Sequence, residues 1–257
     1  MQLTINIRKK LEESANGYFE KAKRARKKIE GARIVIKKFN GQLEELERKQ
    51  QTEEEKITER KEKTPLEWYE KFRWFITSEG FLCIGGRDST TNEVIVKKHA
   101  DPTDVIFHTE MPGSPFFVIK TNGKTPNETS LQEAADATTL FSRAWKLGLG
   151  TAEVYCVKPE QVSKKAPSGE YLTKGAFMIS GKRTYFTGTV NGAVGKLENG
   201  KVMCGPQNAI KTNCKEFSLI AEGKDKPSDC AKKIAKHLKA DIDDVLRVLP
   251  AGTCKIL

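Results

Sequence analysis

At 257 residues, with 37% of side chains apolar, the chain is long enough to bury a sizeable core, which excludes a wholly disordered chain. Its 45 Lys and Arg against 34 Asp and Glu leave a net charge of +11, a surplus that suits a polyanionic partner, RNA first, or else a thermostable lysine-rich surface. No apolar run reaches spanning length and no signal peptide is read, so the expectation is a cytoplasmic protein with no membrane partner.

From Tyr18 the apolar or small positions run Tyr18, Ala22, Ala25, Ile29, Ala32, Ile36, Phe39, Leu43 and Leu46, alternating steps of four and three. That is a coiled-coil seam. It holds its phase through Gly31 to Gly41, so one long helix is expected in place of two joined at a turn. A stripe this narrow needs a second helix, from this chain, from a second copy in a homodimer, or from a missing segment. The tail 50–63 carries Ile57 as its only sizeable apolar residue and makes a poor intrachain partner. Residues 21–38 hold nine Lys or Arg against the single acid Glu30, too few acids for intrahelical pairing, which favours RNA contact over a merely solvated face. The composition shifts near Thr64-Pro65, and all six Cys, all three Trp and all ten Pro lie beyond residue 63. The expected domains are therefore 1–63, a coiled-coil arm, and 64–257, a globular RNA-binding domain.

The globular part opens with a short helix predicted over Leu66 to Trp74 and a strand over Phe81 to Ile84. Gly85-Gly86 frees a tight turn, and Asp88 or Ser89 caps a helix over Thr90 to His99. Gly-Gly-Arg-Asp before a helix resembles an anion cradle, with Arg87 free for phosphate or used to brace the turn through Asp88 or Glu93. Val105 to His108 and Phe116 to Lys120 read as buried strands. His108, Glu110 and Ser114 lie close in the intervening loop, which keeps open a nucleic-acid-processing enzyme with His108 and Glu110 as acid and base. Ser130 to Leu147 reads as one amphipathic helix with a Ser130/Glu133 capping box, followed by a strand from Ala152 to Val157.

Residues 159–183 mix Lys with Gly turns, as a loop gripping a phosphate backbone would. The last third reads as strands at Phe177 to Ile179, Val190 to Val194, Val202 to Met203, Ile210 to Lys211 and Phe217 to Ile220, then a Lys-rich helix over Asp229 to Leu238. The fold class expected is α+β, a long helical arm followed by a mixed domain with a mainly antiparallel sheet. No Cys pair or His spacing makes a metal site, no nucleotide-cofactor fingerprint appears, and the cysteines read as small buried hydrophobes of a reduced protein; no cofactor is expected.

WYEKFRWFITSEGFLCIGGRDSTTNEVIVKKH, VIFHTEMPGSPFFVIK and VKPEQVSKKAPSGEYLTKGAFMISGKR, in that order, resemble the C-terminal half of the NFACT family, and the heptads before them resemble the end of that family's coiled coil, in its archaeal version. The resemblance implies a cytosolic ribosome quality control factor. Such a factor binds large ribosomal subunits (rRNA) with a stalled nascent chain, contacts tRNA, and uses the globular part as its RNA-binding domain. The matching positions are Gly86, Arg87, Asp88, Asn92, Glu93, His108, Gly113, Lys120, Gln161, Lys164, Ser168, Gly169, Glu170, Gly175, Gly181 and Lys182. His108-Thr109-Glu110 departs from the family's usual His-Ala-Asp. The family's N-terminal domain is not matched, so the chain is expected to be a fragment, and tail synthesis is not carried over. The RNA-contacting set is Arg87, Lys97, Lys98, His108, Lys120, Lys158, Lys164, Lys165, Lys174, Lys182 and Arg183, in a non-enzymatic binding module.

Overall fold

The computed structural model describes residues 10–58, 66–165 and 172–257, with side chains as far as 46 in the first stretch. The chain divides into two compact units, Met1–Pro65 and Leu66–Leu257. In the first, α1 (Leu11–Thr58) is one continuous helix of 48 residues. It runs through Gly31 and Gly41 unbroken, and its seam residues Ile29, Ile36, Phe39, Leu43 and Leu46 are exposed in that unit.

The second unit is α+β, and every strand pairing in it is antiparallel. A six-stranded sheet is built from β1 (Arg73–Ile76), β2 (Leu82–Gly85), β3 (Val105–Thr109), β4 (Phe117–Lys120), β5 (Thr151–Val157) and β8 (Thr184–Thr189), in the order β1-β2-β4-β3-β5-β8. A two-stranded ribbon joins β6 (Val162–Ser163) to β7 (Met178–Ile179). A four-stranded sheet, β10-β9-β11-β12, uses Val202–Pro206, Gly192–Lys196, Glu216–Asp225 and Cys254–Ile256 in that order.

Helix α2 (Ser89–Val94) continues as one π turn, Ile95–His99, after β2. Helix α3 (Glu128–Leu140) lies against β3, β4, β5 and β8, and the short α4 (Arg143–Leu147) follows it. Helices α5 (Gln207–Asn213), α6 (Pro227–Leu238) and α7 (Ile242–Val248) complete the unit, and β1 meets β10 so that both sheets share one hydrophobic core. Five of the six free cysteines are buried in that unit and Cys156 is partly so.

Four local expectations are corrected. Residues 66–72 make a turn, not a helix, and Arg73–Ile76 is a strand: consecutive aromatic residues suit a half-buried extended segment, and Gly80 (φ +90°) closes the hairpin onto β2. The helix after Lys124 starts earlier than expected, because Asn127 is the cap whose side chain accepts from the Ser130 N–H. Glu133, freed from capping, is buried and accepts from Ser78 N–H (2.9 Å) and Asn208 Nδ2 (2.8 Å). That helix also ends at Leu140, where Ser142 caps a separate turn that Gly148 (φ +66°) closes. Ile210-Lys211 belongs to α5, held by Asn213, whose amide donates to the carbonyls of Ile76, Thr77 and Ala209.

Candidate nucleic-acid interface

Three loops converge at one end of the six-stranded sheet. The first is Gly86 to Ser89. Asp88 caps α2, accepting from the Thr91 N–H (2.8 Å), while the Thr91 hydroxyl accepts from the Arg87 N–H (2.8 Å). Asn92 is buried against Gly86, where any Cβ would meet its side-chain oxygen, and that oxygen accepts from the Phe116 N–H (3.1 Å). The turn is thus fastened to the second loop, 110–116. The third loop, 172–177, is fastened by Glu93: its carboxylate accepts from the Gly175 N–H (3.0 Å) and from the Lys164 ammonium (2.6 Å), with Lys97 at 3.3 Å. Lys164 and then Gly175 hold the Glu93 carboxyl down to about 2. Gly175 has φ +83° and lies too close to the Ser89 backbone for any side chain. At the far end of the segment, Gln161 donates to the carbonyls of Ser180 (2.8 Å) and Lys182 (2.9 Å).

The loops enclose a cleft of about 540 Å³. Arg73, Arg87 and Lys174 stand on its wall with Phe116, Tyr155 and Phe177, and among the described residues Asp88 is its one acidic lining residue. Arg73 stacks on Phe141 (4.3 Å) and donates to the Leu249 carbonyl (3.4 Å). Burial, with the neighbouring Arg87 charge, lowers the Arg73 guanidinium to about 10. Arg87 does not brace the turn through Asp88 or Glu93, the pairing its sequence position suggests. Instead its terminal nitrogens donate to the carbonyls of Arg247 (2.8 Å) and Phe72 (2.9 Å).

His108 sits on the floor, its ring stacked on Phe116 with centroids 4.0 Å apart. Its Nε2 donates to the Ser114 carbonyl (3.2 Å), which leaves Nδ1 to accept from the Tyr155 hydroxyl (3.4 Å). Burial lowers the imidazole's pKa, against the Ser114 carbonyl that raises it. Glu110 turns to Arg183, and among the described residues no hydrogen bond joins it to His108.

Lys120 leaves the expected contact set. Its ammonium is enclosed by the Asp104 and Asp101 carboxylates and donates to the His99 carbonyl (2.7 Å), because β4 ends against the loop before β3. Lys98, Lys158, Lys165, Lys174 and Lys182 are exposed and have no ion pair among the described residues; Lys97 and Lys164 share Glu93. Ser168, Gly169 and Glu170 lie outside the described residues.

Sequence reading missed a row of rings. His108, Tyr155 and Tyr185 are directly opposite one another on β3, β5 and β8, so they share a face. Gly188, on the other face of β8, packs against the Ala135 carbonyl of α3, which puts the row on the side away from the helix. Arg183 lies over Tyr155 (4.6 Å), and Tyr185 is half exposed. Strand alternation over TYF was the available signal, and it required β8 to be recognised as a strand.

A cleft of cations and rings beside a lysine-rich segment, with no metal-binding cluster among the described residues, defines a basic α+β binding domain. Residues 71–181 match the model of the NFACT protein RNA binding domain. The chain belongs to the NFACT family through this domain. It is 44% identical over 202 residues to the archaeal Rqc2 homolog aRqcH of Methanocaldococcus jannaschii, covering 74% of this chain and 29% of that protein. To the human ribosome quality control complex subunit NEMF it is 38% identical over 165 residues, covering 64% of this chain and 15% of that one. Among solved structures, the C-terminal part of the fibronectin/fibrinogen-binding protein from Streptococcus suis aligns with TM-score 0.42 and 16% identity, over 61% of this chain and 53% of that one. The chain thus spans less than a third of the two curated relatives. The name of the human protein describes a subunit of a ribosome quality control complex, and that of the archaeal one an Rqc2 homolog. No helix among the described residues is long and apolar enough to cross a membrane.

Proposed function

We propose that this chain is the RNA-binding part of a cytoplasmic ribosome quality control factor, one that engages the large ribosomal subunit carrying a stalled nascent chain and contacts tRNA. It acts by binding and not by catalysis. The observation that carries the reading is the set of exposed lysines 158, 165, 174 and 182, without an ion pair among the described residues, on the stretches 158–165 and 172–182 that Glu93 and Gln161 anchor, within or beside the matched RNA-binding region. Ammonium groups on a fixed backbone meet phosphates without first being ordered, and each phosphate they neutralise releases a counterion.

The test is a tRNA titration at two salt concentrations. For the intact chain, affinity falls steeply with salt. Reversing Lys158, Lys165, Lys174 and Lys182 to Glu weakens binding and flattens the salt slope by roughly 0.7–0.9 for each phosphate no longer neutralised. Unchanged binding in that variant moves the RNA surface to the basic stretch 21–38 of α1; no binding by either form sinks the proposal.

The exposed seam of α1 supports a second reading, pairing with another helix, and a second copy of this chain is the partner that can be tested directly. Sedimentation equilibrium of the chain with and without residues 1–63 decides it. A dimer that becomes a monomer on removal supports pairing through the arm, whereas a monomer in both cases refutes it.

A further inference from the structure

The cleft holds more than a flat phosphate-binding surface needs. Two guanidiniums, Arg73 and Arg87, line it together, the Arg87 charge adding to burial in lowering Arg73, and among the described residues neither has a carboxylate within ion-pair distance. Their hydrogen bonds go to carbonyls only, and the buried Nε of Arg87 has no partner. Asp88, the lining acid, is occupied in capping α2. A pair of like charges in a partly desolvated wall favours an anion as neighbour. Opposite them the lining turns aromatic: Phe116 and Phe177 meet edge to face (5.3 Å), with Tyr155 beyond. The volume, about 540 Å³, falls in the range of small-molecule pockets.

We propose that this cleft receives one unpaired nucleotide of an RNA strand, its phosphate toward Arg73 and Arg87 and its base among Phe177, Phe116 and Tyr155. The strand then leaves past Arg183 and Tyr185, which continue the same face of the sheet. A base inside a duplex has no free face for such a pocket. An unstacked one has, and proteins that read single-stranded RNA use aromatic rings in this way. The proposal rests on the RNA-binding reading above and adds to it the class of RNA element: a single-stranded end or a bulged nucleotide.

The experiment compares two RNA hairpins binding to the whole chain, one blunt and one with a short 3′ overhang carrying 2-aminopurine, with free AMP as competitor. The expected result is roughly tenfold tighter binding of the overhang form, within the range that one base stacked on an aromatic ring contributes. The 2-aminopurine fluorescence is quenched in the complex. Phe177→Leu, which keeps an apolar side chain of similar size but removes the ring, abolishes both the advantage and the quenching while the blunt hairpin binds as before. Phe177→Ala, checked for an unchanged unfolding midpoint, repeats the result. Equal affinity for the two hairpins, or an overhang advantage that survives Phe177→Leu, overturns the pocket and leaves RNA binding standing. Saturation by AMP at micromolar concentration without any overhang preference overturns it in favour of a free-nucleotide site. Failure of both hairpins to bind overturns this proposal and the RNA-binding reading together.

Discussion

Lys120 illustrates how one residue's surroundings decide its role. The Asp104 carboxylate beneath it is fully buried and also accepts from the Thr121 N–H (2.9 Å), so the lysine completes a buried charge pair instead of facing solvent. Removing one member leaves the other uncompensated. Lys120→Met is expected to cost about 3 kcal/mol in denaturant unfolding, with tRNA affinity of the folded protein unchanged; weaker binding at unchanged stability would restore the lysine to the interface. His108 gives a pH signature. Burial lowers its folded pKa, so on acidification the unfolded chain takes up a proton first. Stability is full above the ordinary histidine range near pH 6.5 and falls as pH drops below it. The buried side of His99, lowered chiefly by desolvation and then by Lys71, adds to the same slope. Unfolding free energy measured between about pH 7 and 5 should therefore decline, and His108→Gln should flatten part of the decline; a slope unaffected by that change would place the coupling elsewhere.

At the scale of elements, what the sequence disclosed is what local periodicity can carry. The seam of α1, the apolar runs of β3, β4 and β5, and the amphipathic face of α6 were all legible, because each repeats its signal over several turns or alternations. Short elements were not. α5 has only Ala209 and Ile210 to bury and is held by Asn213 reaching back to β1, a hydrogen bond across 137 residues that no local pattern announces. The candidate site divides in the same way. The Gly-Gly-Arg-Asp turn and the lysine segment were visible as motifs, but the way they are braced was not: Glu93, Asn92, Gln161 and Gly175 shape the loops, and the terminal nitrogens of Arg87 donate to carbonyls from α7 and the β1 approach. Family likeness marked those positions as special without distinguishing a contact from a brace. Arg73, Tyr155 and Phe177 went unnoticed because the cleft exists only once three separate loops meet.

For the whole molecule, the span that matches the RNA-binding domain and the span that shares its core are different. Residues 71–181 contain the cleft, but Phe75 of β1 packs on Gly205 of β10, and Arg87 and Arg73 take their carbonyl partners from Arg247 and Leu249. A fragment of residues 66–181 lacks those partners, along with β8, the edge strand that carries Tyr185. It is expected to show no cooperative thermal transition, while 66–257 unfolds in one step; calorimetry of the two distinguishes them. The same arrangement has a meaning in time. On the ribosome β1 emerges well before residues 247–249, whose carbonyls hold the cleft's arginines, so the cleft cannot be completed until that distant segment has followed. The first strands wait for partners 160 and 176 residues away, and a chain stopped before residue 247 does not gain the site.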